Sequence, residues 1–190
     1  MTNLRSLSLL ILVLGGGARW PPGAAISVWI DPQNAPPNAS VLVERAMKTW
    51  TEAADGRFTL ARATSREAAS IRVHFVSSDS TYGEAMPRLD PRTGAIVSAD
   101  VVMNADVVGD ALQQRIIIYM TALHELGHAL GLRHTDDFST IMYSFRRPDD
   151  GPRYFSAFRQ RLRSGDDIGS ARATGLAAAD VEALRTLYER

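Results

Sequence analysis

Three of the four histidines in the chain lie within one short segment, from His124 to His134. His124 and His128 are four residues apart, so on a helix they lie on one face and can present two imidazole nitrogens to one ion. Glu125 lies about 100° further round the same helix. Gly131 permits the backbone to reverse, which would bring His134 to the ion from another side. Three nitrogen ligands leave a fourth position open, which is typical of catalytic rather than structural zinc sites.

The chemistry expected of this ligand set is hydrolysis at one zinc ion held by His124, His128 and His134. Zinc lowers the pKa of a bound water from 15.7 to about 7 and polarises a substrate carbonyl. Glu125 is then expected to be the general base that accepts the proton of the zinc-bound water. The residues alone leave two alternatives open. The histidines could lie on a helix that binds no metal, or the site could hold zinc without catalysing a reaction.

The composition is typical of one soluble globular domain. The chain has 190 residues, of which 45% are hydrophobic and 22% charged, with 21 basic and 21 acidic side chains. A protein that binds nucleic acid would carry a clear positive excess, so we expect no nucleic-acid partner. The chain has no cysteine, which excludes disulfides, thiol nucleophiles and cysteine-ligated zinc.

Residues 1–18 have the pattern of a secretory signal peptide. Arg5 precedes an apolar run, and small residues follow up to Ala18. The apolar run is far shorter than the ~20 residues of a membrane-spanning helix, so we expect no stable membrane span after its removal. The predicted domain is therefore 19–190, and the predicted location is secreted or periplasmic.

The position of signal cleavage has two candidates. A cut after Ala18 would leave Trp20 in a short segment before the first strand, and we expect that segment to lie along the domain surface. A cut after Ala25 would remove Trp20. We favour the first position.

The elements that must position the histidines are short strands and three helices. Strand patterns occur at four places: 26–30, 58–60, 71–75 and 95–103. Helical spacing predicts three helices: one from Asn38 to Gly56, one from Asp110 to Gly131, and one through Val181, Leu184 and Tyr188. Turn-forming residues predict a loop over 77–93, and 135–175 shows little periodicity. The chain contains no internal repeat and no linker, which indicates one α+β domain.

Several motifs resemble those of a known family. The segment from His124 to His134 resembles the elongated zinc motif of the metzincin metalloproteases, and more closely that of their matrixin branch. Segment 139–143 looks like the Met-turn, in which Met142 would support the three imidazoles from below. Segments 46–50 and 176–188 are similar to the first and the closing helix of matrixins.

The resemblance implies a metzincin, or zincin-like, α+β fold in a minimal, bacterial-type catalytic domain. Its expected features are a five-stranded mixed twisted sheet, three helices, and an active-site cleft between an upper and a lower subdomain. The implied activity is that of a zinc-dependent endopeptidase acting on protein or peptide substrates, as a monomer. In matrixins the substrate pairs with an edge strand, which the resemblance places at 95–100.

The sequence also departs from the matrixin pattern. Only His74 lies outside the zinc motif, so we expect no second zinc and an ordinary strand position for His74. Four acidic residues could supply oxygen ligands to calcium, although no calcium motif of fixed spacing is present: Glu84, Asp90, Asp100 and Asp106.

Two other functions remain open at this point. One is a narrow-specificity peptidase that acts on chain ends or on one partner protein. The other is a catalytically silent, zinc-dependent module that binds peptides along its edge strand.

Overall fold

The computed structural model describes residues 17–78 and 81–189 of the chain. The predicted signal peptide, 1–18, lies outside the described residues except for its last two positions. The elements follow in this order: β1 (Ala24–Ile30), α1 (Ala39–Ala54), β2 (Phe58–Arg62), β3 (Ile71–Val76), β4 (Gly83–Leu89), β5 (Ile96–Asn104), α2 (Ala111–Ala129), α3 (Asp150–Arg159), a 3₁₀ turn (Gly165–Asp167) and α4 (Ala178–Tyr188).

The described strands form one mixed sheet in the order β2-β1-β3-β5-β4. The first four strands in this order are parallel, and β4 is antiparallel to β5. In β3 the buried residues Ile71, Val73 and Phe75 alternate with the half-buried Arg72 and His74. The five-stranded α+β fold implied by the family resemblance is therefore present.

The edge strand differs from the sequence-based expectation in two respects. Strand β4 lies within the segment 77–93, which the turn-forming residues had assigned to a loop. Strand β5 begins where the resemblance places the edge strand, but it lies between β3 and β4, so β4 is the edge strand on this side of the sheet. Gly83 and Pro87 are poor strand formers, and an edge position tolerates them because only one side of β4 needs backbone pairing.

The number of helices also differs, because the described chain has four α-helices instead of three. The additional helix, α3, lies within the segment 135–175, which shows little periodicity. It is only ten residues long, and Pro152 lies in its first turn, where a missing N–H costs nothing. Its own side chains Tyr154, Phe155 and Phe158 are buried, so tertiary packing stabilises α3.

Helix α2 is the central helix of the domain, and every residue from Ile116 to Gly127 is buried. Its N-terminus is capped by Asp110, whose carboxylate accepts a hydrogen bond of 2.8 Å from the backbone N–H of Gln113. The helix ends at Ala129, and Gly131 follows with a φ of 99°, the predicted reversal. A buried helix of this kind can present polar side chains only where a cavity opens beside it.

Helix α1 packs against α2, and two hydrogen-bonding contacts join the two helices. The Trp50 indole N–H donates to the carbonyl of Leu123 at 2.8 Å, and the hydroxyls of Thr49 and Tyr119 lie 3.0 Å apart. Both contacts join the C-terminal half of α1 to the middle of α2. The position of α2 is therefore set by hydrogen bonds as well as by apolar burial.

The segment before β1 does not lie on the surface as expected. Trp20 is only 5% exposed, and its indole N–H donates to the carbonyl of Ala129 at 2.9 Å. The neighbouring carbonyl of Arg19 accepts from the N–H of Ile96, the first residue of β5. Burial of a large aromatic ring outweighs the cost of ordering these few residues. Within the described residues, no helix has the length and apolarity required to cross a membrane.

Candidate active site

The structure brings the three predicted ligands together at one end of α2. The Nε2 atoms of His124 and His128 lie 3.1 Å apart, and that of His134 lies 3.2 Å and 3.0 Å from them respectively. His124 and His128 come from successive turns of α2, and His134 comes from the chain beyond Gly131. The helix spacing and the reversal at Gly131 therefore both contribute to the cluster, as the sequence predicts.

Backbone carbonyls orient two of the three rings. Nδ1 of His124 donates to the carbonyl of Ile141 at 2.6 Å, and Nδ1 of His128 donates to that of Leu132 at 2.9 Å. Because a carbonyl can only accept, the proton of each ring lies on Nδ1 and the Nε2 lone pair faces the cluster. Burial lowers the pKa of His124 to about 3 and that of His128 to about 4, so both rings are neutral at pH 7.

These residues fit a zinc ion. Three neutral imidazoles with converging Nε2 atoms are compatible with three bonds of about 2.0–2.1 Å to one ion. Among residues 17–78 and 81–189, no other group of three or more potential metal ligands converges in this way. The donor set is purely nitrogen, which suits zinc and does not suit calcium or magnesium.

Glu125 lies beside the histidine cluster with only 6% of its surface exposed. Burial raises the pKa of its carboxyl to about 8, and the nearby carboxylate of Glu84 adds to the shift. A cation held by the imidazoles would oppose this shift, because a positive charge favours the ionised carboxylate. Glu125 is therefore placed to exchange a proton with a neighbouring group.

Strand β4 passes unusually close to Glu125. A Cβ atom on Gly83 would lie 2.8 Å from Cγ and 2.9 Å from Oε1 of Glu125, and 2.9 Å from a methyl of Thr121. Only a residue without a side chain fits between these atoms. Gly83 therefore determines how closely the edge strand approaches the site, which sequence reasoning did not anticipate.

The segment 139–143 forms a tight turn below the end of α2. Met142 is buried, and its sulfur lies 2.5 Å from the place that a Cβ on Gly127 would occupy. The carbonyl of Ile141 orients His124, and the N–H of Ile141 donates to the buried carboxylate of Asp180 at 2.9 Å. Sequence reasoning assigned no role to Asp180, although it lies in the helix that resembles the closing helix of matrixins.

A cleft of about 820 Å³ opens above the histidines. Residues of β4 line its upper side, and α2, the 139–143 turn and α3 line its lower side. Tyr82 reaches from the upper side to α3, where its ring packs edge-on against Phe155 at 5.0 Å. A Cβ on Gly151 would lie 2.7 Å from the same ring. One end of the cleft is therefore an aromatic wall.

Comparison with known proteins gives a family match in the same region. The family model of the matrixins matches residues 31–155, which include the three histidines, Glu125 and Met142. The chain belongs to the matrixin family. The matched segment begins after β1 and ends within α3, so it spans most of the sheet and both walls of the cleft.

Two curated relatives of this matrixin are, by name, a metalloendoproteinase and a collagenase. Metalloendoproteinase 1 of Glycine max is 27% identical over 157 residues, covering 77% of this chain and 44% of the relative. Interstitial collagenase of Equus caballus is 28% identical over 139 residues, covering 69% of this chain and 27% of the relative. The matrixin chain thus spans less than half the length of either relative.

Of the remaining predicted residues of this matrixin, Glu84 lines the cleft near Glu125, whereas His74, Asp90, Asp100 and Asp106 do not line it. His74 is a β3 side chain, and its Nδ1 lies 3.3 Å from a carboxylate oxygen of Asp31. Of the residues considered for calcium, Asp100 pairs with Arg72 at 2.8 Å, and Asp90 accepts hydrogen bonds from its own turn. In the described part of the chain the four acidic residues form no group of three, and calcium binding stays a prediction.

Proposed function

We propose that this matrixin is a secreted zinc-dependent endopeptidase in which Glu125 transfers the proton. The observation that carries the proposal is the juxtaposition of three neutral, converging imidazoles with a buried carboxyl in one open cleft. Membership of the matrixin family and similarity to a protein named as a metalloendoproteinase support the same reaction class.

Each residue of the site has a separate task in the proposed reaction. His124, His128 and His134 would hold zinc, which supplies Lewis acidity toward water and toward a peptide carbonyl. The Glu125 carboxylate accepts a proton from the attacking water and delivers it to the nitrogen of the leaving amine. Burial of His124 and Glu125, which are 7% and 6% exposed, limits the contact of these groups with bulk water.

The substrate is proposed to bind as an extended peptide along β4. This strand is one of the two edges of the sheet, and several of its residues line the cleft. An edge strand has backbone N–H and C=O groups that can pair with an added strand, whatever the side chains of the peptide. Such binding is expected of an endopeptidase that accepts unstructured protein segments.

The proposed mature chain begins after Ala18. Trp20 is buried against α2, and a cut after Ala25 would remove both this ring and the first two residues of β1. The signal peptide itself, and therefore secretion, rests on the sequence pattern of 1–18.

The test is a matched pair of glutamate variants. Glu125→Gln retains the shape of the side chain but cannot accept a proton, so peptide hydrolysis should fall by at least ~10²-fold while zinc stays bound. Glu182→Gln changes an exposed residue of α4 and should leave activity unchanged. Cleavage of an unstructured protein, followed by mass spectrometry, and metal analysis provide the two measurements.

Two results would contradict the proposal. Hydrolysis by Glu125→Gln within tenfold of the parent rate would show that Glu125 is not the proton acceptor. A parent protein that binds zinc and peptides but cleaves none would instead identify a binding module.

A narrow-specificity peptidase is the second candidate, and the position of Tyr82 favours it. The ring lines the cleft and contacts Phe155 of α3, so it is placed to limit how far a peptide extends in that direction. Peptides with free and with blocked ends would separate the two candidates. An endopeptidase cleaves both forms, whereas an enzyme that acts on chain ends requires a free terminus.

A further inference from the structure

The last turn of α2 is held by two aromatic side chains from the opposite ends of the described chain. The carbonyl of Ala129 accepts from the indole N–H of Trp20 at 2.9 Å. The carbonyl of Leu130 accepts from the hydroxyl of Tyr188 at 2.9 Å. Carbonyls at a helix end have no partner within the helix, so such contacts fix where the chain goes next.

The two aromatic residues also contact each other. The backbone N–H of Trp20 donates to the Tyr188 oxygen at 3.4 Å, so this hydroxyl accepts from Trp20 and donates to Leu130. The ring of Tyr188 packs against Phe58 of β2 at 4.9 Å. Trp20 and Tyr188 are both buried, with 5% and 6% of their surfaces exposed. Trp20 and Tyr188 therefore form one unit, which contacts the sheet through Phe58.

This unit adjoins the turn that connects two of the zinc ligands. Leu132 in that turn donates its N–H to Gly127 at 2.9 Å and accepts the Nδ1 proton of His128 at 2.9 Å. On the outer side of the turn, the carbonyl of Ala18 occupies the place that a side chain on Gly131 would take. The turn is thus enclosed between the zinc ligands and the segment before β1.

We infer that Trp20 and Tyr188 are positioning residues for zinc binding. By holding the carbonyls of Ala129 and Leu130, they fix the turn from which Leu132 orients His128 and from which His134 extends. Neither residue contacts the metal cluster, so their effect passes through the turn. The inference rests on the zinc site of the proposed function, and it concerns metal affinity rather than hydrolysis.

The first experiment removes each donor and retains the ring. Trp20→Phe and Tyr188→Phe should each weaken zinc binding by about tenfold, because groups that orient metal ligands typically contribute 10–100-fold to affinity. The zinc dissociation constant is measured by competition with a chelator, well below the unfolding temperature of each metal-free variant. The matched control is Trp29→Phe in β1, whose ring packs against His74 outside the histidine cluster, and it should bind zinc like the parent.

A merely structural role would lower the unfolding temperature without changing zinc affinity in the folded state. Parent-like zinc affinity in both Trp20→Phe and Tyr188→Phe would therefore overturn the inference. A parent protein that binds zinc but hydrolyses no peptide would contradict the proposed function and leave this inference intact. A parent that binds no zinc would contradict both.

The second experiment uses the unmodified protein and so does not depend on the folding of any variant. If the Trp20 contact favours zinc binding, zinc must in turn stabilise the Trp20 contact by the same factor. The indole N–H of Trp20 should therefore exchange with solvent more slowly in the zinc-loaded protein than in the metal-free protein, as measured by NMR. An exchange rate that does not respond to zinc would overturn the inference.

Discussion

At the scale of single residues, the environment of the polar groups in α2 matters as much as their type. His124 and Glu125 are adjacent in the sequence, and burial shifts both toward their uncharged forms. A neutral imidazole is a metal ligand, and a carboxyl with a raised pKa exchanges protons near neutral pH. On an exposed helix the Glu125 carboxyl would keep its ordinary pKa of about 4.3 and would stay ionised at pH 7.

The edge strand approaches Glu125 most closely at Gly83, and a methyl group there is expected to impair the site. In Gly83→Ala the added carbon would lie 2.8 Å from Cγ of Glu125, so the carboxyl or the edge strand must move. A misplacement of about 1 Å can cost ~10²-fold in rate, and we expect a loss of that order in kcat/KM with zinc retained.

The matched control for this prediction is Gly94→Ala. A Cβ on Gly94 would meet no atom within 4 Å, and the residue lies in a turn away from Glu125, although its φ of 71° makes the substitution mildly strained. Parent-like kcat/KM for Gly83→Ala would contradict the prediction, because it would mean that β4 moves without displacing the Glu125 carboxyl.

A buried threonine near the cleft should be replaceable with a gain in stability. The Thr121 hydroxyl has no hydrogen-bond partner among the described residues, and the side chain is only 5% exposed. Leaving such a group unsatisfied costs about 1–3 kcal/mol, so Thr121→Val should raise the free energy of unfolding by about 1 kcal/mol. Urea denaturation measures the change.

Thr49→Val provides the opposite control. Its hydroxyl lies 3.0 Å from that of Tyr119, and the residue is likewise buried. Removing this partner should lower the free energy of unfolding by about 1 kcal/mol. Destabilisation of both variants to the same extent would mean that the Thr121 hydroxyl has a partner after all.

At the scale of elements, α2 is held at its two ends by different interactions. Its C-terminal turn is held by Trp20 and Tyr188, whereas its N-terminal cap, Asp110, forms two hydrogen bonds to Arg159 at the end of α3, at 2.8 and 2.9 Å. Helix α3, which lines the lower side of the cleft, is therefore connected to the helix that carries His124 and Glu125. The 139–143 turn is connected in the same way to α4, through Asp180.

The link between α2 and α3 should depend on pH. The hydrogen bond from Arg159, followed by that from the Gln113 backbone, lowers the pKa of Asp110 from 3.8 to about 2. A carboxyl whose pKa is lower in the folded state stabilises the protein above its unfolded pKa. This contribution is expected to be present above about pH 5 and to be lost as the pH falls through 3.8 toward 2.

The comparison of Asp110→Asn with the parent isolates this contribution. Urea denaturation at several values between pH 6 and pH 2 should give a stability difference that is constant at the upper end and shrinks at the lower end. Added salt should reduce the difference, because Asp110 and Arg159 are exposed enough to be screened. A difference that is the same at every pH would contradict the assignment of the shift to Asp110.

At the scale of the whole molecule, the three clustered histidines join parts of the chain that are distant in sequence. His124 is oriented by the 139–143 turn, which Asp180 holds against α4, and His128 is oriented by the turn that Trp20 and Tyr188 enclose. A metal ion held by these histidines would stabilise all of these contacts together. Zinc should therefore act on global stability.

Zinc removal is expected to lower the unfolding temperature of the whole domain. A ligand that binds only the folded state stabilises it by about 2.7 kcal/mol at a free concentration of 100 times Kd. Calorimetry with and without a chelator measures the effect. His134→Asn should abolish most of the zinc-dependent shift in unfolding temperature. His74→Asn changes a histidine outside the cluster and should retain the shift. An unfolding temperature of the parent protein that is the same with and without zinc would contradict the ligand assignment.

The sequence by itself determined the parts of the site that depend on neighbouring residues. The i, i+4 spacing of His124 and His128 follows from helix geometry, and Asp110 and Gly131 mark the two ends of the same helix. The alternation in β3 likewise predicts which of its side chains are buried. Each of these features is set by backbone geometry over a few residues, so a local pattern is sufficient to predict it.

Only the tertiary structure decided the features that depend on distant residues. Strand β4 contains Gly83 and Pro87 and forms because β5 supplies its hydrogen bonds, and α3 forms because its aromatic side chains are buried. The contact of Trp20 with Ala129 joins residues 109 positions apart. Local propensity carries no information about such partners, because their free energy comes from burial and pairing that exist only once the chain has folded.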